Sequence, residues 1–149
     1  MAVERTLVLC KPDAVQRGLT GSVIGRFERK GLKLVGLKML RVGEDLASRH
    51  YAEHLKKVFY SALRDFITSS PIVAMAMEGE NAVEVVRTLI GATNPQAADP
   101  GTIRGDFGLD LTMNLVHASD SLESARRELA LFFSSDELHD YDLTMKVWM

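Results

Sequence analysis

The order of elements along the chain predicts an α/β (α+β) sandwich: a ferredoxin-like four-stranded antiparallel sheet with helices packed on it. Three observations carry this reading. Four short segments are rich in strand formers. Segments with apolar residues at helical spacing separate them, giving two β-α-β units with a helical pair inserted. The length of 149 residues, 46% of them hydrophobic and 26% charged, suits one domain with a real core.

The first strand spans about residues 3–10, around Thr6-Leu7-Val8-Leu9. It stops at Lys11-Pro12-Asp13, because proline has no donor for a central ladder. Lys11 is therefore expected at a strand end. Gly18 to Gly21 reads as a turn, with Thr20 as the cap of a helix over 21–30. Val23, Ile24 and Phe27 give that helix one apolar face, and Gly31 stops it. Leu32 to Leu40 is the second strand. Asp45 to His54 and Ser61 to Ser69 read as the inserted helices. Ile72 to Glu78, opened by Pro71, is the third strand, and Ala82 to Ile90 is a helix stopped by Gly91. From Ala92 to Gly108 the chain is irregular, with Pro95, Pro100 and three glycines. An unstructured connection of that length in a compact domain is usually functional. Leu111 to His117 is the fourth strand and Leu122 to Phe133 the last long helix. In the tail, the apolar residues of Leu143 to Trp148 are expected to dock on the core or on a partner. No repeat or linker interrupts residues 1–149, so the chain reads as a single domain.

Charge and composition narrow the function. A formal net charge of −2 excludes a generally basic nucleic-acid coat. The longest unbroken apolar run, Ile72 to Met77, is far too short to span a bilayer. The opening Met1-Ala2-Val3-Glu4-Arg5 lacks the order of a signal peptide, and the single cysteine, Cys10, can form no internal disulfide. These features predict a cytoplasmic protein with no membrane partner and no stable nucleic-acid partner.

The chemistry centres on Asn114-Leu115-Val116-His117-Ala118-Ser119-Asp120-Ser121. Apolar residues lead into a histidine and small polar residues follow. This reads as a strand that ends by presenting an imidazole beside a helix N-terminus, where unpaired N–H groups favour phosphate. A neutral imidazole there is a nucleophile toward phosphorus. Phosphoryl transfer also needs positive charge on the equatorial oxygens, and Lys11, Arg87 and Arg104 stand at loop or element ends to supply it. Thr93 can add a hydroxyl, and Phe59 can stack a base. Ser119 is two residues beyond the histidine. Glu128 falls about 40° from Phe132 on a helical wheel, at the edge of the apolar stripe, so it can face inward and hold the ring.

Each residue alone has a plainer reading. Lys11, Arg87 and Arg104 singly read as solvated charges, Glu128 as a surface carboxylate, and Phe59 and Tyr51 as packing residues. Two partial motifs are rejected. His50-Tyr51-Ala52-Glu53-His54 fits a zinc-peptidase pattern but has no evident third ligand. Gly31 to Lys38 nearly reads as a Walker A loop, but its lysine is one place late and no Ser or Thr follows.

Three motifs together carry a resemblance. Asn114-x-x-His117-Ala118-Ser119-Asp120, Lys11-Pro12-Asp13, and Thr93-Asn94-Pro95 followed by Pro100 to Phe107 stand in order and at the right spacing. The chain resembles the nucleoside diphosphate kinase family from end to end. The resemblance implies that His117 takes the terminal phosphate of a nucleoside triphosphate, mainly ATP, and passes it to a nucleoside diphosphate by a ping-pong route with broad base specificity. It implies that Lys11, Tyr51, Asn114 and Arg104 surround the sugar and the transferred phosphate, that Arg87 and Thr93 hold the inner phosphates, and that Phe59 and Leu111 sandwich the base. Ser119 and Glu128 support the histidine. Mg²⁺ rides in on the nucleotide phosphates, with Asp120 close enough for a water-mediated contact. The resemblance further implies self-association into a homohexamer or homotetramer built from dimers. Ala118 departs from the family's glycine, so a slight shift of the site is expected there. A competing reading, a non-catalytic nucleotide- or RNA-binding module on the same sheet, is disfavoured by the absence of an obvious aromatic pair and by the acidic balance.

Overall fold

The computed structural model describes residues 2–149; Met1, part of the single-domain and N-terminal expectations, lies outside them. Four antiparallel strands form one sheet in the order β2-β3-β1-β4, with β1 Val3–Cys10, β2 Lys33–Leu40, β3 Ile72–Glu80 and β4 Val116–Ala118. The expected ferredoxin-like sandwich is thus the observed architecture.

The centre of the sheet is buried on both faces, which explains why Leu7 to Cys10 of β1 and Ile72 to Met77 of β3 read as unbroken apolar runs. Val8, Cys10, Val73, Met75 and Met77 face one cluster, packed by α2 Thr20–Lys30 through Val23 and Phe27 and by α5 Ala82–Ile90 through Val86 and Ile90. Leu7, Leu9, Ala74 and Ala76 face the other. That face is covered by α3 Glu44–His50, α4 Tyr60–Ile67 and α7 Leu122–Phe132, through Ala47, Ile67, Leu129 and Phe132. Sequence neighbours on β1 therefore serve opposite cores, as the alternation of a strand dictates.

Several expected boundaries move, each for a local reason. Thr20 does not cap the second helix; it is that helix's first residue, and Leu19, in a right-handed helical conformation, precedes it. Lys11 is followed at once by a short helix, α1 Pro12–Gln16, with Pro12 in the first turn, where its missing donor costs nothing. The helix expected over Asp45 to His54 stops at His50, and Ala52–His54 forms a separate 3₁₀ turn. His50 and His54 therefore do not share one α-helical face, and the five-residue zinc pattern fails on geometry.

The fourth strand is much shorter than Leu111 to His117. Leu115 has φ 76°, which takes the chain out of extended conformation. Asp110 Oδ1 accepts from the backbone N–H groups of Thr112 and Met113 and ties residues 110–113 into a turn. The Ala92–Gly108 segment is not structureless either. Asn94 caps a 3₁₀ turn over Pro95–Ala97, and Thr102 Oγ1 accepts from Gly105 N at 2.9 Å to cap α6 Ile103–Phe107. Ile103 is fully buried, so this connection is anchored in the core. The near-Walker segment Gly31 to Lys38 is the helix-stopping glycine followed by β2. In the tail, Val147 and Trp148 are exposed and do not dock on the core.

Candidate active site

The three-residue strand β4 pairs with β1, setting His117 opposite Leu9 and Ala118 opposite Val8. Five residues later α7 begins, with Ser121 Oγ accepting from Ser124 N at 3.0 Å as its cap. This strand-to-helix step leaves His117 side-chain exposure at 28% while carrying Glu128 back beneath the ring. Glu128 is buried, and its Oε1 lies 2.8 Å from His117 Nε2. The same oxygen accepts from Ser119 Oγ at 2.7 Å. Burial alone raises the Glu128 pKa. The hydrogen bond and charge of His117, with the Ser119 hydroxyl, outweigh it and hold the carboxyl below its ordinary range. The carboxylate is therefore ionised and can only accept. That assigns the ring proton to Nε2 and leaves the lone pair on Nδ1.

His117 opens on a cavity of about 350 Å³. Lys11, Arg87, Arg104 and Arg127 contribute four cations to its wall. Lys11 Nζ donates to Asn114 Oδ1 at 2.6 Å and to Thr112 O at 3.2 Å. Burial pushes its pKa down to about 8, against the pull of Asp13. Asn114 is fixed in turn by a 3.0 Å bond from Nδ2 to Thr93 O. Arg87 Nη1 reaches Ala118 O at 3.3 Å.

Arg104 is more deeply placed than its sequence context suggested. It is 6% exposed and donates to three backbone carbonyls: Asn114 at 3.1 Å, Gly91 at 3.2 Å and Val116 at 2.7 Å. A guanidinium has about five N–H donors, so two remain for a ligand. Burial, then the charge of Arg87, pushes its pKa down to about 10. Arg104 thus ties the loop to the strand as well as lending charge.

The expected residues fall into three groups. Lys11, Tyr51, Arg87, Thr93, Arg104 and Asn114 line the cavity with His117. Asp120 and Glu128 line it too, Asp120 exposed at its edge. Ser119 stands behind the ring, fully buried and committed to Glu128. Phe59 and Leu111 lie outside the lining, 50% and 59% exposed. Phe59 touches the rim through the ring of His54, with centroids 5.4 Å apart. Ala118 has an ordinary negative φ within β4, so a methyl group there demands no special backbone.

Sequence reasoning missed three residues. Asp13 Oδ2 accepts from Leu115 N at 2.9 Å, and Lys11 N donates to Leu115 O at 2.9 Å. Together they hold the left-handed residue that redirects the chain before His117, which gives the Lys-Pro-Asp stretch a structural meaning. Arg127 lies 3.6 Å from Glu128 Oε2. His50 packs edge-on against His117, with centroids 4.6 Å apart, and burial, then the nearby His117, pushes its pKa down to about 3. It is neutral. No local spacing links positions 50, 117 and 128.

Comparison with known proteins places the chain in one family. The family model described as "Nucleoside diphosphate kinase" matches residues 4–138. The nucleoside diphosphate kinase of Archaeoglobus fulgidus is 61% identical over 147 residues, covering 99% of this chain and 97% of that protein. That of Pyrococcus horikoshii is 58% identical, covering 93% and 90%. Among solved structures, the Halobacterium salinarum nucleoside diphosphate kinase in complex with CDP superposes with a TM-score of 0.96 at 53% identity, covering 99% of this chain and 98% of that one. The Aquifex aeolicus nucleoside diphosphate kinase gives 0.90 at 41%, covering 93% and 100%.

Proposed function

The chain belongs to the nucleoside diphosphate kinase family, and from that premise we propose that it moves the γ-phosphate of ATP to other nucleoside diphosphates through a phosphohistidine on His117 Nδ1. The observation that carries this is the 2.8 Å contact between His117 Nε2 and an ionised, buried Glu128. An ionised carboxylate favours the tautomer with the proton on Nε2, which leaves the Nδ1 lone pair free on a ring that lines a cationic cavity.

Nδ1 attacks the γ-phosphorus. The N–P bond forms as the bond to the β-phosphate oxygen breaks, and the diphosphate leaves. The ring is then positive, and the Glu128 carboxylate stabilises it. An oxygen of an incoming diphosphate's terminal phosphate reverses the step and frees the ring. Lys11, with the two spare donors of Arg104, offsets charge on the transferred oxygens, and Arg87 holds the inner phosphates with Thr93. Tyr51 and Asn114 stand by the sugar and the transferred phosphate.

Mg²⁺ fits the donor set only as a passenger of the nucleotide. The cavity wall is dominated by cations, Glu128 is engaged, and Asp120 is a carboxylate at the edge with a free reach. Magnesium held by one carboxylate, waters and phosphates suits this arrangement, and when bound it neutralises phosphate charge. Phe59 and Leu111 hold the base by its faces and read no hydrogen-bonding edge, so base specificity is broad.

Among the described residues, no helix is long and apolar enough to cross a membrane. We place the protein in the cytoplasm as a homohexamer or homotetramer built from dimers, the exposed tail around Val147 and Trp148 and the Ala92–Gly108 segment supplying contacts. Sedimentation measures that assembly. The reaction is tested by incubation with radiolabelled Mg·ATP, which leaves an acid-labile, base-stable label on the protein that His117→Ala does not acquire. Full labelling of His117→Ala contradicts the proposal.

A further inference from the structure

Three side chains from distant parts of the sequence meet at the floor of the cavity. His50 ends α3, His117 lies on β4, and Glu128 is on α7. One nitrogen from each ring and one carboxylate oxygen all lie within 4.8 Å of one another. His50 is 5% exposed, yet neither of its ring nitrogens has a hydrogen-bond partner among the described residues. Buried polar atoms without partners are rare and call for an explanation. Edge contacts with His117 at 4.6 Å and Phe132 at 5.3 Å fix the plane of the ring. The proposed phosphoryl transfer uses no bond from His50.

We propose that His50, His117 and Glu128 form an inhibitory site for a borderline transition-metal cation, with Zn²⁺ as the ion their chemistry matches, and that the ion blocks transfer by taking the lone pair of His117. Two imidazoles and one carboxylate are a ligand set of open zinc sites, with the fourth position left to solvent. Zinc bonds to such ligands are about 2.0–2.2 Å long, which sets the ligand atoms about 3.3 Å apart around a tetrahedral ion. The ligand atoms lie within 4.8 Å of one another, and Nε2 of His117 is 2.8 Å from Glu128 Oε1, so these separations bracket the tetrahedral spacing. Magnesium prefers oxygen ligands and keeps its waters, so the nucleotide's own ion does not compete for the two nitrogens.

The inhibition follows from the ring itself. A neutral imidazole has one nitrogen lone pair in its plane, and the other nitrogen carries the proton. Coordination through Nδ1 occupies the pair directly. Coordination through Nε2 moves the proton to Nδ1. Either way no lone pair is left for phosphorus. The inhibitory half of the proposal rests on the phosphohistidine reading; the metal site itself does not.

The test uses full-length protein stripped of metal and nucleotide, titrated with Co²⁺ by calorimetry and visible absorption. One ion per chain is expected, with the absorption of a tetrahedral nitrogen–oxygen site, displaced by Zn²⁺ but not by excess Mg²⁺. His50→Gln and Glu128→Gln each weaken binding by at least about tenfold. No binding, or binding unchanged in both variants, overturns the site, and the wild-type stoichiometry and spectrum stand independently of how either variant folds. Labelling with trace Mg·ATP then tests the consequence. With Zn²⁺ in excess over nucleotide, wild-type labelling is suppressed, and His50→Gln needs at least about ten times more Zn²⁺ for the same effect. Labelling that continues at full rate with the ion bound overturns the inhibitory role. Protein that labels normally but binds no Co²⁺ overturns the site and leaves the phosphohistidine reading intact. Protein that binds Co²⁺ but never labels supports the site and overturns the phosphohistidine reading.

Discussion

Around His117 the side chains hold one another. Glu128 Oε1 is shared by the ring and the Ser119 hydroxyl, Asn114 receives Lys11, and Arg104 is pinned by three carbonyls. Phe59 and Leu111, by contrast, stand half in solvent beyond the cavity lining. On the proposed mechanism, the contrast puts rigidity where bonds change and latitude where the base sits. Preorganised charge lowers a barrier because it does not have to rearrange during the reaction. A base clasped only by its faces is accepted whatever its edge displays.

The largest effect is expected at the inner end. In Glu128→Gln the neutral amide keeps the shape but cannot stabilise a positive ring. We expect kcat to fall about a hundredfold with the KM for nucleotide little changed, as read by steady-state kinetics. An unchanged kcat would mean that the 2.8 Å contact only orients the ring.

Alkaline pH comes next. The folded Lys11 pKa is depressed to about 8 from 10.5, so the side chain loses its charge above about pH 8. Between pH 8 and 10.5 the unfolded chain binds more protons at this group than the folded one does, so the Lys11 contribution to stability rises with pH. Nucleotide affinity falls over the same window, because a phosphate-facing cation is lost. Parallel melting and binding measurements across that range should give opposite slopes, and Lys11→Met should flatten both.

At the outer end, Phe59→Ala should raise KM by about tenfold through lost stacking, equally for purine and pyrimidine substrates and with kcat retained. A selective loss for one base would mean that Phe59 reads identity. The smallest effect belongs to Ala118→Gly. Because Ala118 already has negative φ in β4, a glycine there should change kcat by less than about twofold.

The same contrast governs how much the sequence discloses. Ala82 to Ile90 is read to the residue, because Gly91 stops the apolar helical run where the helix ends. The fold class follows from such elements. The fourth strand is misread because Leu111, Leu115 and Val116 look like strand residues, and nothing local reveals that Asp13, a hundred residues away, holds Leu115 in a left-handed turn. The cap assigned to Thr20 fails in a similar way, since the preceding Leu19 already turns right-handed. His117, Ser119 and Asp120 are legible because they share one short motif. His50 is not, because its meaning comes from tertiary contact with residues on two other elements. Its apparent pairing with His54 dissolves once the helix stops at His50.

In the proposed reaction, Glu128 chooses which nitrogen reacts. Phosphorylating protein that carries ¹⁵N-labelled histidine and recording nitrogen–phosphorus couplings tests it directly. Phosphorus attached to Nδ1 of His117, with Nε2 still protonated toward Glu128, is the outcome expected here. Phosphorus on Nε2, or on any other side chain, would contradict it.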